Sequence, residues 1–360
     1  MFAPTRYLNW ARRFYGQVRF DLATSGIPTA RVADWGMPSG AALDDPSGWE
    51  RMREAIAAYN DVPSSGAVAA LGTAHALWLA YASLAGPGDD ILVEDPAYEP
   101  LLRAAEGVGA RVLRFSRDAR DVFALDPERV ARALTPQTRV VAITNLHNPT
   151  GVRADDGALR ATAQLLERRG AFLLVDEVYA AFDDLVDAHG VFRGSARKLA
   201  PNVVAVSSLT KCHGLGPHRV GWVLGPPQVV ARVEDAVTAT SGMLPLAHAH
   251  IGVHAFSRIL ELADRARAFL SGKRERVGAW VASQGLQWSA PPAGLFAFVT
   301  VPGATDLTRH VEAAVREREV LVAPGSFFGV PNGFRIAWSA PSGALEEGLG
   351  RLAECVRSWR

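Results

Sequence analysis

Cysteine is too scarce in this sequence to support a disulfide framework or a cysteine-based metal site. Cys212 and Cys355 are the only cysteines among 360 residues, and two thiols can build neither a disulfide framework nor a cysteine-based zinc site. We therefore expect a protein that works in a reducing compartment, and we predict a cytoplasmic location.

Long hydrophobic runs are missing as well. No stretch reaches the roughly 18 uncharged apolar residues that a membrane-spanning helix requires, so we predict no membrane partner. The first nine residues also lack the apolar core of a secretory signal. Together these absences make a soluble protein the default expectation.

The chain also lacks an excess of charge of either sign. Lys and Arg number 38 and Asp and Glu number 37, which gives a formal net charge of +1. Because no basic stripe is visible, we predict no nucleic-acid partner. Hydrophobic residues make up 49% of the chain, which is ordinary for a globular protein, and the length predicts about two domains.

Motifs for metal binding are scarce too. His248, His250 and His254 form a cluster, and the i,i+4 spacing of the last two could suit a metal ion on a helix. No HExxH pattern and no nearby set of Cys or Asp ligands accompanies them. We therefore predict no metal site, and a structural or interface role for these histidines is the alternative.

Segments with the pattern of strands and of helices alternate through the middle of the chain. Strands are predicted at 68–71, 91–93, 111–115, 140–143, 172–175, 203–206 and 220–224. Helices are predicted at 74–84, 99–107, 127–134 and 158–169. Several strands are continuous apolar runs, which is typical of a parallel sheet covered by helices on both faces. The alternation predicts an α/β fold with a mostly parallel central sheet flanked by helices.

The two ends of the chain differ from this middle part. Residues 1–40 show little periodicity, and we expect an arm that packs on the second domain or on a partner subunit. Residues 41–250 form the predicted large domain, and residues 251–360 a smaller α+β domain. The elements predicted in the smaller domain are helices at 251–285 and 305–318 and strands near 297–301 and 334–339.

Polar residues follow four of the predicted strands, at the edge where open α/β sheets bind ligands. After the first strand a glycine opens a helix, whose free N–H groups suit a phosphate. An Asp, which is costly to bury unpaired, follows another strand. A Lys placed after a buried strand can lose its proton and become a nucleophile towards carbonyl groups. The candidates are Gly72, Thr73, Ala74, Asn148, Asp176, Tyr179, Ser208, Lys211 and Arg219.

Each of these signals has an ordinary structural alternative when it stands alone. Gly72 is also typical of a plain turn before a helix, and Asn148-Pro149 is typical of a turn in a loop. Asp176 could cap a helix, and Lys211 could lie in solvent on a loop. Their order and spacing together favour a single combined site.

In combination the motifs resemble the signature of the class I/II aminotransferases, which have fold type I of the pyridoxal-phosphate (PLP) enzymes. The matching positions are Asn148-Pro149-Thr150-Gly151, Asp176, Tyr179, Ser208-x-x-Lys211 and Arg219-x-Gly221. The resemblance covers about residues 20–350. It implies a fold type I PLP-transferase with PLP as cofactor, an amino acid and a 2-oxo acid as small-molecule partners, and a homodimer.

The resemblance also implies a role for each matching residue. Lys211 forms a Schiff base with PLP and then acts as the acid and base that moves a proton at the substrate. Asp176 faces the pyridine nitrogen and keeps it protonated, while Asn148 and Tyr179 hydrogen-bond the ring oxygen O3′. The resemblance implies that the phosphate is bound by the remaining candidates, Gly72, Thr73, Ala74, Ser208 and Arg219.

Three further positions resemble residues of the family that surround the cofactor and substrate. Tyr98 matches the aromatic residue that stacks on the cofactor ring, with an interfacial core tyrosine as the alternative. Arg335 resembles the arginine that binds the substrate α-carboxylate through its planar fork, with a surface arginine as the alternative. Gly26 would let backbone approach the substrate, and Asn148 is also expected to contact it.

One position departs from the family pattern. Many members have a Tyr that reaches the phosphate of the neighbouring subunit, and Leu43 stands at the matching place here. That contact is either missing or supplied by another residue. No second Arg is clearly placed for a dicarboxylate substrate. Substrate choice is expected to lie near Ile27, Trp35, His147, Phe182 and segment 240–245.

Transamination between an amino acid and a 2-oxo acid is the predicted activity. The alternative is a PLP-dependent lyase or cyclase on the same scaffold, because a fold does not fix the reaction. Segment 10–26 faintly resembles the capreomycidine synthases, PLP cyclases of arginine-derived substrates. A third hypothesis, a non-enzymatic PLP sensor with a DNA-binding domain, would need a basic recognition helix, and none precedes residue 72.

Overall fold

The computed structural model describes residues 3–38, 40–183 and 186–359 of the chain. Its α-helices are α1 Arg6–Ala11, α2 Val32–Trp35, α3 Gly48–Asn60, α4 Gly72–Leu84, α5 Glu99–Gly107, α6 Pro127–Ala133, α7 Asp156–Glu167, α8 Pro227–Ser241, α9 Leu246–Ser257, α10 Ile259–Leu270, α11 Lys273–Ser283, α12 Thr308–Arg318 and α13 Ser342–Val356. Its strands are β1 Phe20–Asp21, β2 Ala67–Leu71, β3 Asp90–Asp95, β4 Arg111–Ser116, β5 Thr138–Thr144, β6 Phe172–Asp176, β7 Val203–Ser208, β8 Val220–Leu224, β9 Gln287–Trp288, β10 Phe296–Thr300, β11 Val320–Leu321, β12 Ala323–Pro324 and β13 Gly333–Ala337.

Seven strands form the central sheet in the order β2-β8-β7-β6-β5-β3-β4. Neighbouring strands from β7 to β4 run parallel, whereas β8 runs antiparallel to β2 and β7. All seven strands predicted from the apolar runs are present, so the predicted α/β fold with a mostly parallel sheet is confirmed. The carboxyl ends of β5, β6 and β7 meet at one edge, and the amino end of antiparallel β8 lies at that same edge.

The apolar runs explain why this sheet lies in the middle of the protein. On one face, Val140 and Ala142 of β5 join an apolar cluster with α4, α5 and α8. On the other face, Val141 and Ile143 of the same strand join a cluster with α6 and α7. Burying one Val or Ile side chain stabilises the fold by about 1.5–3 kcal/mol. A strand that is apolar on both faces therefore belongs between two layers of helices.

A second, antiparallel sheet has the order β12-β13-β10-β9. The N-terminal arm packs on this C-terminal region: β1 runs parallel to β11, with Phe20 opposite Val320. Tyr7 and Trp10 of α1 belong to the same apolar cluster as Phe334 of β13. This is one of the two locations expected for the arm. The domain boundaries at residues 40 and 250 stay a prediction.

The C-terminal region is divided into several helices. The segment 251–285, predicted as helical, lies in the three helices α9, α10 and α11. Gly272 precedes α11 with a φ of +71°, a left-handed conformation that glycine adopts readily and that interrupts a helix. The predicted helix at 305–318 and the predicted strands near 297–301 and 334–339 correspond to α12, β10 and β13. Within the described residues, no helix has the length and apolar character that crossing a membrane requires.

Candidate functional site

A cavity of about 440 Å³ lies at the carboxyl edge of the central sheet. It is bounded by residues that follow β2, β5, β6 and β7, by the segment around the start of α5, and by α1. Its lining residues are Leu8, Arg12, Thr73, Ala74, Leu77, Tyr98, Pro100, Thr144, Asn148, Asp176, Val178, Tyr179, Thr210, Lys211 and Arg219. Eight of the twelve site residues predicted from the sequence are among them, so the separate motifs come together in space.

Lysine is rare in this chain, and Lys211 provides the amine of the cavity. The other two lysines are Lys198 and Lys273. The ammonium group of Lys198 lies 3.4 Å from a carboxylate oxygen of Asp61 and is partly exposed. The ammonium group of Lys273 donates to the carbonyl of Ala340 at 2.7 Å. Of the three, Lys211 is therefore the one available to a ligand in the cavity.

The surroundings of Lys211 favour its neutral form. Burial lowers the pKa of Lys211 to about 8, and the positive charges of Arg335 and Arg219 act in the same direction, while Asp176 raises it. Desolvation penalises an isolated ammonium ion, which is the usual way in which a protein makes a lysine nucleophilic. An amine with a pKa of about 8 is about one-tenth neutral at pH 7, a far larger fraction than that of an ordinary lysine.

Asp176 ends β6 directly beside Thr144, which ends β5 in the same register. One carboxylate oxygen of Asp176 accepts the backbone N–H of Val178 at 3.0 Å. Burial raises the pKa of this carboxyl to about 7; the Val178 N–H lowers it, the charge of Glu94 raises it and that of Lys211 lowers it. A buried carboxylate with so little compensation is suited to receive a cation.

Asn148 and Tyr179 bring polar groups to the same cavity. The hydroxyl of Tyr179 lies 2.9 Å from the hydroxyl of Ser25, and burial raises the pKa of Tyr179 above its ordinary value. The side-chain oxygen of Asn148 accepts from Nη1 of Arg335 at 2.8 Å. Its amide nitrogen Nδ2 is buried and has no hydrogen-bond partner among the described residues. That free donor points to a ligand, because buried polar atoms are otherwise almost always paired.

At the other end of the cavity, hydroxyl groups and an arginine surround the start of α4. The hydroxyl of Thr73 donates to that of Ser208 at 2.8 Å, and Ser208 Oγ lies 2.7 Å from Thr210 Oγ1. The guanidinium of Arg219 fills the space where Gly72 would carry a Cβ. Gly72 has a φ of +76°, so both the conformation and the close approach require glycine. The free N–H groups of the helix start and these donors form a cradle for an anion.

Arg335 lies behind Asn148, and its side chain is fully buried. Its Nη2 donates to the hydroxyl of Tyr7 at 2.6 Å and to the carbonyl of Ala23 at 3.0 Å. The guanidinium carbon lies 5.1–5.4 Å from the ring centres of Tyr7, Phe296 and Phe328. Arg335 therefore reaches the cavity through Asn148, and it does not itself line the cavity.

A buried ion pair supports the floor of the cavity. Arg117 donates to Glu94 at 2.7 Å, and neither side chain is exposed. The other oxygen of Glu94 accepts the backbone N–H of Thr144 at 2.6 Å and its hydroxyl at 2.7 Å. The hydroxyl oxygen of Thr144 in turn accepts the backbone N–H of Asn148 at 2.8 Å. This chain of hydrogen bonds fixes the turn that carries Asn148.

Four predicted site residues lie just outside the lining of the cavity. Gly72 and Ser208 support the anion cradle, and Arg335 contacts Asn148, as described above. Gly26 lies against Lys211: a Cβ at Gly26 would be 3.2 Å from Cδ of that lysine. All four are thus neighbours of the lining residues, and the individual roles of the twelve residues stay predictions.

Sequence reasoning missed Tyr7, Arg12, Thr144 and Thr210. Thr144 carried a usable signal, because it ends a buried strand in the way that Asp176 does. Tyr7 and Arg12 carried none, since α1 has only six residues and no readable periodicity. Arg12 lines the cavity, so a second arginine is present at a site where the sequence had not placed one.

The residues expected to govern substrate choice lie elsewhere. None of Ile27, Trp35, His147, Phe182 and segment 240–245 is among the described residues that line the cavity. His147 is fully buried, with one ring nitrogen 2.9 Å from the carbonyl of Pro96, and Phe182 lines a different cavity of about 540 Å³. Leu8, Arg12 and Pro100 do line the cavity, and the part that the expected positions play in substrate choice stays a prediction.

Leu43 and the histidine cluster also lie outside the cavity. Leu43 is half-buried in a 3₁₀ segment, Gly40–Asp44. His248, His250 and His254 each place a ring nitrogen near a different backbone carbonyl, at 3.1, 2.7 and 3.0 Å. In the part of the chain that the structure describes, no group of three or more His, Cys, Asp or Glu side chains is arranged to hold a metal ion.

Comparison with known proteins agrees with this arrangement. The family described as aminotransferase class I and II matches residues 38–352. The chain is 32% identical to capreomycidine synthase from Streptomyces vinaceus, over 96% of this chain and 92% of that protein. It is 28% identical to arginine–pyruvate transaminase from Pseudomonas aeruginosa, over 79% of this chain and 73% of that protein.

A solved structure shows the same fold. The crystal structure of a PLP-dependent aminotransferase from Streptococcus suis matches with a TM-score of 0.88 at 20% identity, over 100% of this chain and 99% of that one. The predicted fold type I architecture is thereby confirmed. Members of the matching family use pyridoxal phosphate, and the match spans most of the chain. The chain therefore belongs to the class I and II aminotransferase family and is a PLP-dependent enzyme.

Proposed function

We propose that this enzyme is an aminotransferase that moves an amino group between an amino acid and a 2-oxo acid. The observation that carries the proposal is one buried amine, that of Lys211, at a cavity that also holds Asp176, Asn148 and Tyr179. The family match supports the cofactor, and the likeness to arginine–pyruvate transaminase supports the transfer of an amino group.

The residues of the cavity fit both polar ends of PLP. The start of α4, the Ser208 and Thr210 hydroxyls and the Arg219 guanidinium offer a phosphate dianion several donors at one end. At the other end, Asp176 offers an uncompensated carboxylate and Asn148 an unpaired amide donor. These residues would hold the cofactor between them, with Tyr98 as the aromatic wall.

When bound, PLP supplies a protonated pyridine ring that withdraws electrons from the substrate Cα. The task of Asp176 is to keep that proton on the pyridine nitrogen. A cation next to a buried carboxylate favours its charged form, so ligand binding lowers the pKa of Asp176 from about 7. Tyr179 and Asn148 orient the ring oxygen through hydrogen bonds, and Ser25 in turn orients the Tyr179 hydroxyl.

Lys211 has two tasks in this proposal. It attaches the cofactor through Nζ, and once released it takes the proton from the substrate Cα as a general base. A base with a pKa near the working pH serves best, and the pKa of Lys211 is about 8. Leu77 and Val178 line the same cavity, and their apolar side chains help to exclude the water that would raise this pKa.

We propose Arg335 as the partner of the substrate α-carboxylate, which it would meet beside Asn148 at the edge of the cavity, since its own side chain does not line the cavity. Its guanidinium has five N–H donors, three of which are used by Asn148, Tyr7 and Ala23. Its Nε is buried and has no partner among the described residues. Asn148 therefore connects the carboxylate site to the cofactor site, and it orients both.

A PLP-dependent lyase or cyclase is the second candidate. The observation that favours it is the 32% identity to capreomycidine synthase over almost the whole length of both proteins. The cavity and its residues suit either reaction, because both begin with loss of the proton from the substrate Cα. The fate of the substrate after that step separates the two candidates.

The test is a half-reaction followed by absorbance and product analysis. Purified enzyme loaded with PLP is given one amino acid at a time without any 2-oxo acid. We expect one equivalent of 2-oxo acid per site, then a stop, and renewed turnover when a second 2-oxo acid is added. Continuous turnover without 2-oxo acid would instead establish the lyase or cyclase. A colourless protein that takes up no PLP would refute both.

The assembly and location of the enzyme are also proposals. We propose a homodimer, as is typical of aminotransferase relatives, and size-exclusion chromatography with light scattering tests it. In such a dimer, Leu43 cannot supply the usual contact to the phosphate of the neighbouring subunit, so that contact is either missing or supplied by another residue. The cytoplasmic location stays a prediction from the low cysteine content.

A further inference from the structure

The three histidines of α9 have a common structural role. Each places Nε2 close to a backbone carbonyl: His248 to that of Arg219, His250 to that of Asp45 and His254 to that of Trp35. Because a carbonyl only accepts hydrogen bonds, each ring must carry its proton on Nε2. The histidines whose spacing could suit a metal ion therefore form three hydrogen bonds that connect α9 to other segments of the chain.

His248 differs from the other two because of the residue that it holds. Arg219 has a φ of +54°, a left-handed conformation that is unfavourable for a residue with a side chain. Such a conformation persists only where the surroundings hold it. His248 Nε2 lies 3.1 Å from the carbonyl of Arg219 itself, at the point where the chain turns into β8.

The conformation of Arg219 decides where its guanidinium lies. The guanidinium fills the space beside Gly72, at the start of α4, where a Cβ would collide with it. Gly221 is packed equally closely: a Cβ there would collide with the backbone of Gly72. With this little clearance, a small rotation of the Arg219 backbone would move the guanidinium away from the anion cradle.

We propose that His248 is a positioning residue for phosphate recognition, which it serves by holding the Arg219 backbone in place. The proposal rests on the proposed function, because the phosphate is that of the cofactor. His248 does not touch the cavity itself, and it acts through Arg219.

The surroundings of His248 are consistent with its proposed role as a hydrogen-bond donor to the Arg219 backbone. The residue is 7% exposed, and its Nδ1 is buried without a hydrogen-bond partner among the described residues. Burial lowers the pKa of His248, and His75 and Arg219 add to this effect, while the hydrogen bond to the Arg219 carbonyl opposes it. The ring therefore stays neutral near pH 7, with its one proton on the nitrogen that faces the carbonyl.

The experiment compares the affinities of two aldehydes that differ only in the phosphate, PLP and pyridoxal. Dissociation constants are measured by absorbance titration of the apoenzyme. In His248→Leu we expect the affinity for PLP to fall about five- to tenfold, the effect of one lost hydrogen bond, while the affinity for pyridoxal stays unchanged. His248→Gln keeps an N–H donor at a similar distance from the helix backbone and should restore most of the lost affinity for PLP.

His250→Leu is the matched control, because His250 lies on the same helix, is buried and also donates to a backbone carbonyl. We expect it to leave the ratio of the two affinities unchanged. His248→Asn, whose shorter amide does not reach the carbonyl, provides the same test if the leucine variant does not fold. The loss should also disappear in an Arg219→Ala background, as it must if His248 acts through Arg219.

Two results would overturn the proposal. Equal weakening of PLP and pyridoxal would mean that His248 only stabilises the fold, and unchanged PLP affinity would mean that Arg219 needs no such support. Both results leave the proposed function intact, because the wild-type enzyme still takes up PLP. A wild-type protein that takes up neither aldehyde would instead refute the proposed function, and this inference with it.

Discussion

The two ends of the site are built in different ways. The cofactor end consists of short segments that directly follow strands of one sheet: Asp176 ends β6, and Lys211 follows β7 by three residues. The carboxylate end joins distant parts of the chain, because Arg335 bonds to Asn148, 187 residues away, and to Tyr7, 328 residues away. Sheet order fixes the first end, whereas the docking of the N-terminal arm fixes the second.

This difference predicts which measured properties a substitution at each end will change: cofactor binding and turnover, or stability. The strands of the cofactor end are buried on both faces and cannot shift without loss of the core. The six residues of α1 are too few for a helix that is stable alone, so Tyr7 is held by tertiary packing. Substitutions at the cofactor end should therefore change the bound cofactor and the chemistry. Substitutions at the carboxylate end should change stability and leave cofactor binding intact.

The largest expected effect is that of Lys211→Ala. Loss of the amine removes both the attachment of the cofactor and the general base, so turnover should fall by on the order of 10⁴-fold or more. Lys198→Ala is the matched control, since Lys198 pairs with Asp61 at the surface. Steady-state assays and the visible absorbance of the bound cofactor measure the effect. Retained turnover in Lys211→Ala would exclude the site from the reaction.

Asp176→Asn tests the electrostatics of the same end. Loss of the charge that keeps the pyridine nitrogen protonated should lower turnover about a hundredfold. The variant should also change how the stability of the apoenzyme depends on pH. The folded-state pKa of about 7 lies above the unfolded value near 4, so the native state binds the extra proton between these limits. The contribution of Asp176 to the stability of the wild-type apoenzyme should therefore fall as the pH rises from about 4 to 7.

The comparison of melting temperatures isolates this carboxyl group. Wild-type and Asp176→Asn apoenzymes are melted at several pH values between 4.5 and 8, and the difference between the two Tm values is followed. We expect the Tm of the wild type to fall relative to the Tm of the variant as the pH rises. Above about pH 7, the two curves of Tm against pH should run parallel. Saturating PLP should abolish the relative fall, because the cation of the bound ring compensates the carboxylate. Parallel curves over the whole range would contradict a raised pKa at Asp176.

The contrast between the cofactor end and the carboxylate end also explains which site residues could be predicted from the sequence. The central sheet follows from continuous apolar runs, and the residues of the cofactor end follow those runs at fixed short distances. Thr144 could have been found by the same rule, since it ends β5 as Asp176 ends β6. The carboxylate end offered only Arg335 and Gly26, through their resemblance to a family pattern.

Tyr7 and Arg12 could not be predicted from the sequence. Their places depend on the pairing of β1 with β11 and on the packing of α1 in the C-terminal cluster. Both are contacts across about 300 residues, which leave no local pattern of hydrophobicity. Phe182 and His147, which were expected near the substrate, do not line the cavity for a related reason. Nearness along the chain to a motif does not determine which cavity a side chain faces.

The smallest expected effect is that of Tyr7→Phe, and it tests the carboxylate end. The hydroxyl of Tyr7 accepts a hydrogen bond from buried Arg335, while the ring packs against Phe328. Phenylalanine keeps the ring and removes the acceptor, so we expect a loss of about 1 kcal/mol in the free energy of unfolding. In a protein of this size, that lowers Tm by about 1–3 °C.

Tyr59→Phe is the matched control for Tyr7→Phe, because Tyr59 is also buried and packs among Phe192, Trp222 and Phe256. The decisive quantity is the affinity for PLP, measured by absorbance titration. It should stay unchanged in Tyr7→Phe, because this hydroxyl serves Arg335 and lies outside the phosphate cradle. A parallel loss of PLP affinity would mean that the arm also orders the cofactor end through Asn148, and the two ends would then be one cooperative unit.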